Sequence, residues 1–561
     1  MKIEKSFKRA VPGLAIAAAL AMGMPAAHAG DDAAGAGDFK FALSGYVRGW
    51  VSLNLENQPE LKAKNQGGAT NGGVGTPFNK DSKWDASMIR GSVLLDADAS
   101  YMGLKFKTIV RGDKEYKTDY LKDLEKLRSV GQVVNTDGPG AKALGGRAES
   151  IMDNYNAFDF REFWVEAPIG DRVTVKFGRQ QLVWGESDFF HAMDVVHGYD
   201  LSWRLFFEGE NEEWRKPLIL LSTKIRIPEA NGMLQAFIRP GWDRCSDIGN
   251  TYDVNGGRWF FQPYRGFNLS AITTKDCDQK DWKQDDVTGG VRWQGEAFDV
   301  NYSIAYINTF SADPVANPNP ANTVDGTAFK GSAVKGFFFD RIHPKIDVLG
   351  ATVSGYSALL DSVISVEASY TIDQPYNFGS GSFLFNNNGG TTVGNGLGGV
   401  KLKDVVNVML RMDHNLKLED VLGTTRPSFS SIQLFDTMVV DYKKSDDLVR
   451  LFAYGSTLKE HNTILTMFTV LNYMNDKINP SFVLGFDLGN GGGFAIPAGA
   501  FTLNDNWVGK VEADIFWSGG RSSTSQFGLG GPNAGPTQPR SQLFGYFDKS
   551  SQLVFRLTRQ F

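Results

Sequence analysis

The sequence predicts an all-β chain: a transmembrane antiparallel β-barrel of about 16–18 strands, with long extracellular loops and one loop folded inward. Three observations carry that expectation. Segments of about ten residues with alternating apolar and polar side chains recur along the chain. Their connections alternate between tight polar turns and long Gly/Asn/Asp-rich stretches. The last segment alternates up to an aromatic C-terminal residue, Phe561.

The first element is a secretory signal. Lys2, Lys5, Lys8 and Arg9 precede an apolar run from Ala10 to Met24, and Ala27-His28-Ala29 supplies an A-x-A cleavage site. Residues 1–29 are therefore expected to be removed after Ala29, leaving 30–561 as one barrel. No stretch approaches the ~18 uninterrupted apolar residues of a membrane helix. The whole chain carries 58 Lys+Arg and 63 Asp+Glu; the signal removes four basic residues and one acidic residue, so the mature net charge is −8. An acidic chain argues against nucleic acid as a partner. The mature part has no linker and no alternation of helices with buried strands, although its length would suffice for several soluble domains.

The strands follow in order. Between Phe39 and Leu55, Phe39, Phe41, Leu43, Val47, Val51 and Leu53 share one parity, while Lys40, Ser44, Tyr46, Arg48, Ser52 and Asn54 share the other. Strand side chains point alternately to opposite faces, so one face is greasy and one wet. The pattern returns in Met102-Leu104-Phe106-Thr108-Val110, in Phe298-Val300-Tyr302-Ile304-Tyr306, in Val406-Val408-Leu410-Met412, and from Trp507 to Trp517. In a soluble sandwich the greasy face would meet a second sheet; in a membrane barrel it meets lipid.

Asp98-Ala99-Ser100, Pro168 to Arg172, Glu229 to Gly232, Gly295-Glu296 and Asn504-Asp505-Asn506 read as tight turns. The long connections are 56–83, 112–159, 185–215, 242–285, 308–344, 374–402 and 518–550. Short turns on one side and long loops on the other are a barrel signature, whereas long structureless loops count against a compact soluble domain. Leu553, Phe555, Leu557 and Phe561 form the terminal strand, with Arg559 at the periplasmic rim. With both ends in the periplasm the strand number is even. Eighteen is the best division, and about sixteen follows if Ile432 to Gly455 divides differently. Such a barrel has room for water or for loops inside.

The run from Gly178 to Glu208 and its continuation "NEEWRKPLILLSTKIRIPEANGMLQAFIRPGWD" resemble a Gram-negative outer-membrane family, domain of unknown function 1302. "RPSFSSIQLFDT" at Arg426–Thr437 and "NDNW" at Asn504–Trp507 fit the same family. "KFGRQ", ending at Gln180, is similar to a strand of several porins and alginate-export barrels. The resemblance implies an outer-membrane location and assembly by the barrel-assembly machinery. It also implies movement of small organic or hydrophobic compounds, with an inner-membrane transporter as partner. It brings no catalytic residue, metal or cofactor.

The densest chemistry lies between Gly178 and Arg204. Glu186, Asp188, His191, Asp194, His197, Asp200 and Arg204 are read as a candidate constriction loop, packed to the wall by Trp184, Phe189, Phe190, Trp203 and Phe206. Zinc takes imidazole and carboxylate ligands, but the six-residue spacing does not gather them on one helix face. An Asp188–His191 dyad would make a hydrolase only with an oxyanion stabiliser, and no such group is legible. The lumen parity also carries a basic row of Lys40, Arg48, Arg90, Lys105, Lys107, Arg111 and Lys176, facing Asp96, Glu162 and Glu166. That row would either concentrate anions or alternate with the acids and hydrate the wall; hydration is the favoured reading. A bulge at Gly178 would flip Arg179 and Gln181 to the other face.

Cys245 and Cys277 share one loop, and an oxidising compartment predicts a disulfide between them, contributing about 3–4 kcal/mol. Asp119 to Leu127 has helical spacing with Asp119 as N-cap, and reads as a short helix lying on the barrel. A transport channel is the favoured function. An adhesin or structural barrel, and a barrel hydrolase using the 185–215 loop, are the alternatives.

Overall fold

A computed structural model gives the fold. It describes residues 39–57, 81–130, 134–135, 151–187, 190–204, 211–252, 258–259, 273–276, 287–318, 339–378, 384–385, 391–392, 399–449, 458–519, 521–522, 538–539 and 543–561. The expected signal segment 1–29 lies outside the described residues.

The barrel strands are β1 (Lys40–Asn54), β2 (Ala86–Tyr101), β3 (Leu104–Glu115), β4 (Ala157–Ile169), β5 (Val173–Gln180) and β6 (Leu218–Ile227). Next come β7 (Gly232–Arg239), β8 (Thr288–Ala297), β9 (Val300–Phe310), β10 (Lys345–Ser357), β11 (Ser362–Phe378) and β12 (Val400–Leu416). The last are β13 (Ser428–Val439), β14 (His461–Val470), β15 (Ile478–Asp487), β16 (Gly493–Asn504), β17 (Trp507–Trp517) and β18 (Gln552–Gln560). Each pairs antiparallel with its neighbours, and β1 pairs with β18 from Tyr46↔Gln560 to Asn54↔Gln552, closing an 18-strand barrel. Phe561 extends this seam: its carbonyl accepts from Gly45 at 3.0 Å and its N–H donates back at 3.1 Å. A closed ladder is what lipid demands, because hydrocarbon cannot satisfy an open strand edge.

The alternation sorts the two faces. Phe41, Phe106, Phe163, Ile304, Leu349, Leu410 and Phe482 are exposed on the outside, while Arg48, Arg90, Asp113, Gln235, Glu367, Ser369 and Glu512 are buried. Burial of the polar parity means that the lumen is filled by chain, since an open water-filled wall would leave those groups accessible.

Three sequence expectations shift. The β2–β3 turn is Met102-Gly103, with φ of 50° and 82°, and β2 runs on through Asp98-Ala99-Ser100. The β8–β9 turn is Phe298-Asp299, with φ of 55° and 61°, and β8 continues past Gly295-Glu296. Positive φ at both central residues suits a tight hairpin's twist, so strand pairing overrides the poor turn propensity of Met and Phe there. The ambiguous stretch Ile432 to Gly455 divides at Val439, and the connection 440–460 leads to β14.

Helix α1 (Asp119–Val130) corrects a fourth expectation. Its N-cap is Thr118, whose Oγ1 accepts from the Leu121 N–H at 3.2 Å, and Asp119 sits in the first turn. It does not lie on the barrel's outside: Tyr120, Leu121 and Leu124 pack with Trp50, Met88 and Val554, residues of the inner wall. A small sheet of Val134–Asn135, Thr273–Asp276, Val315–Pro318 and Phe339–Ile342 joins the outer connections to one another.

Candidate functional site: a segment across the lumen

The connection from β5 to β6 leaves the wall at Gln180 and turns inward. Trp184, 1 % exposed, meets Phe237 of β7 edge-on at 5.3 Å. Met193 and Val196 join them in a cluster with Leu218, Leu220, Ile307 and Val348 from β6, β9 and β10. Gly350 on β10 makes room for this contact, because a Cβ there would stand 1.7 Å from Met193 Sδ.

The segment then reaches other walls. Glu367 of β11 accepts from the backbone N–H of Met193 at 3.2 Å and from that of Glu186. Arg411 of β12 donates to the Glu186 carbonyl at 2.7 Å, and Phe190 packs on Phe435 of β13 at 5.3 Å. Farther on, Trp203 lies 5.6 Å from Trp50 of β1, with the Arg90 guanidinium 4.3 Å from its ring centre. Arg204 pairs with Glu512 of β17 and with Asp514 at 3.3 Å. On the return, Arg48 pairs with Glu213 at 2.8 Å, and Arg161 donates to the Arg215 carbonyl at 2.7 Å. Strands β1, β4, β7, β11, β12, β13 and β17 are all touched, so the segment spans the lumen. Its buried charges are paired, as burial away from water requires.

The two histidines have separate duties. His197 accepts from the Leu182 N–H at Nε2, 2.8 Å, so its Nδ1–H donates to the Lys216 carbonyl at 2.9 Å. Burial holds its pKa down to about 4, and it is neutral near pH 7. With both nitrogens committed, it offers no lone pair to a metal. His191 stacks on the Tyr199 ring at 4.8 Å and 6°. Burial opposes ionisation of Asp194, but Arg215 at 2.5 Å holds its carboxyl below the usual range. Tyr199 donates to the same Asp194 Oδ2 at 3.1 Å, and burial pushes the phenol's pKa up. Asp200 accepts from the Ser202 hydroxyl at 2.6 Å and its N–H at 3.1 Å, a local turn lock. Asp188, the acid of the dyad, lies outside the described residues. Among the described residues no group of three or more His, Cys, Asp or Glu could hold a metal ion.

The basic row is interleaved with acids. Arg90 pairs with Asp113 at 3.0 Å, and Arg111 with Asp113 at 3.0 Å. Lys107 meets Asp96 at 2.9 Å and Asp98 at 3.0 Å; Lys105 and Lys176 share Glu166 at 3.4 and 3.9 Å. Glu162 accepts from the Trp164 indole at 2.8 Å, and Lys40 is exposed at the start of β1. The expected bulge at Gly178 is absent, since its register runs unbroken to both neighbours. Gly178 has φ 132°, and Arg179 beyond it pairs with Asp247 at 2.7 Å and Asp159 at 3.4 Å. Gln181 accepts from Arg215 at 3.3 Å. Cys277 and the Cys245 side chain lie outside the described residues.

Sequence reasoning missed Glu367, Arg215, Glu213 and Arg258. Arg258 pairs with Glu115, donates to the Trp203 carbonyl at 2.9 Å, and faces Tyr155 at 4.2 Å. Only Glu367 carried a signal, as a lone acid at a lumen position among the small polar residues of β11. On the outer side of the segment a cavity of about 270 Å³ remains, bounded by β11 to β15 and the segment itself.

A closed barrel of eighteen strands, apolar outside and crossed inside by its own chain, defines the class: a large transmembrane β-barrel with an inward-folded segment. The chain belongs to the family described as protein of unknown function, DUF1302, whose sequence profile matches residues 10–525. No curated protein matches it. Among solved structures, it is similar to OmpF of Salmonella typhi in complex with daunomycin, at 9% identity over 93% of this chain and 98% of that one, TM-score 0.37. It is also similar to OccAB1 of Acinetobacter baumannii, at 9% identity over 92% and 96%, TM-score 0.41. OpdK of Pseudomonas aeruginosa with vanillate is 7% identical over 93% and 98%, TM-score 0.41.

Proposed function

We propose that the protein is an outer-membrane channel for small organic or hydrophobic compounds, narrowed by residues 184–204. The observation that carries this reading is the course of that segment. It leaves β5, is held by Glu367, Arg411 and the Glu512–Asp514 pair on distant walls, and leaves a cavity beside it. A barrel built only as an anchor has no need to fold a charged segment through its centre. The apolar exterior suits the outer-membrane lipid, and residues 1–29 suit export with cleavage after Ala29. The barrel-assembly machinery and an inner-membrane transporter are the partners this reading calls for.

The test is conductance of the purified barrel in planar bilayers, before and after shortening of residues 185–203. The shortened barrel should assemble normally and conduct more, because the wall strands keep their own hydrogen bonds. Absence of conductance in both forms would overturn the channel reading in favour of an adhesin or structural barrel.

A further inference from the structure

The cavity beside the crossing segment has a definite chemistry. Asp194, Asp313, Asp436 and Asp487 line it, and among its described lining residues there is no lysine or arginine. Two imidazoles, His191 and His197, face the same space, and the hydrogen bonds of His197 keep it neutral. Arg215 stands behind Asp194 at 2.5 Å. Asp487 accepts from the Asn490 backbone at 2.8 Å and its amide at 3.1 Å, and no cationic partner meets it among the described residues. Asp313 accepts from the Tyr252 hydroxyl at 2.7 Å and the Asn250 amide at 2.8 Å. Asp436 meets His461 at 2.8 Å and the Thr463 hydroxyl at 2.6 Å. The space is therefore net negative. None of the arginines that line the inner wall elsewhere borders this space: Arg48 is held by Glu213, Arg90 and Arg111 share Asp113, and Arg204 pairs with Asp514.

Aromatic rings border the same space, Phe190, Trp214, Tyr376 and Phe435 among aliphatic and amide side chains. Asp194 adds a second, independent sign of a ligand. The residue is 3 % exposed, and its Oδ1 accepts no hydrogen bond among the described residues. Ring faces and carboxylates together favour a cation on an aromatic frame, because the ring quadrupole and the acids attract the same charge. Size narrows the class further. An apolar cavity of about 150 Å³ holds one benzene, so about 270 Å³ takes one ring with a short side chain.

Resting on the channel reading, we propose that this cavity is the selectivity site and that it takes single-ring aromatic ammonium ions in preference to the matching carboxylates. A net negative, low-dielectric chamber concentrates cations and excludes anions.

The probes are phenethylammonium and phenylacetate, which share ring and chain and differ in charge. Flux of each into liposomes holding the purified full-length barrel should favour phenethylammonium by about tenfold at low salt, with the preference shrinking near 1 M salt. Asp487→Asn and Asp436→Asn should each lower the preference severalfold. In detergent, phenethylammonium should quench Trp214 fluorescence and phenylacetate should not. Equal fluxes, or a preference for phenylacetate, overturn the inference while a conducting barrel leaves the channel reading standing. A barrel that conducts nothing yet binds phenethylammonium in detergent overturns the channel and keeps the site. Ion conduction without binding or discrimination removes the site alone.

Discussion

Glu367 offers the sharpest way to loosen the constriction without touching the wall. Its side chain is fully buried, and its two oxygens accept from the backbone N–H groups of Glu186 and Met193. Replacing it with alanine strands the buried Met193 donor, at a cost of about 1–3 kcal/mol, and the part-buried Glu186 donor, at less. Docking of the segment should therefore weaken by at least about 1–3 kcal/mol, and less where water enters the vacated space. At about 1.4 kcal/mol per tenfold, the low end is already roughly 5-fold in the released-to-docked ratio. Glu367→Gln keeps one acceptor and should show about half the effect in free energy. The β11 ladder to β10 and β12 is main-chain bonding and stays intact. The assay is single-channel recording together with the temperature of heat-induced mobility shift. Conductance should rise or flicker in the order wild type, Gln, Ala, with the shift temperature unchanged. Three identical recordings would refute the idea that this carboxylate pins the segment.

Arg204→Met should lower the heat-shift temperature, because it takes the guanidinium away from the buried Glu512 and Asp514; removing one partner of a buried pair costs about 3–5 kcal/mol. Acid should release the segment through His197. Its docked pKa, about 4, lies below the free value of 6.5, so its contribution is full above pH 6.5, declines as pH falls, and is gone below 4. Channel opening should therefore become more frequent across that window, and His197→Gln should remove this component of the pH dependence. A thiol probe should label Cys245 and Cys277 in the unfolded protein only after reduction, and labelling without reductant would show that the bridge is absent.

The architecture was legible because a barrel writes itself in a period of two, and each strand repeats the message. Lys40–Asn54 and Trp507–Trp517 fall where the alternation was read, although both parities of β1 are buried from Tyr46 to Asn54. Turns were less legible where Met102 and Phe298 occupy left-handed positions that local preference assigns to Gly or Asn. Helix α1 was found by its spacing, but its neighbours Trp50 and Val554 are distant in sequence, and so its place inside the mouth was hidden. The same reason explains the constriction. The Glu186 to Arg204 chemistry is visible as a cluster, whereas its anchors lie 181 and 308 positions away at Glu367 and Glu512. Nothing local distinguishes a loop that turns inward from one that spreads outward.

The seam between β1 and β18 sets an order in time. Arg48 Nε meets Thr558 Oγ1 at 3.0 Å across 510 positions, and Ser52 meets Gln552 at 2.6 Å across 500. Joining ends so far apart costs about 5–6 kcal/mol of loop entropy, while a two-residue hairpin such as Met102-Gly103 brings its strands together locally. Seventeen seams can therefore form as neighbours emerge, and the eighteenth cannot. Because Phe561 itself contributes two main-chain bonds to Gly45, closure waits until β18 and the residue after it are in place. Until then the sheet is open with two bare edges, and those edges must be sheltered until β18 meets β1.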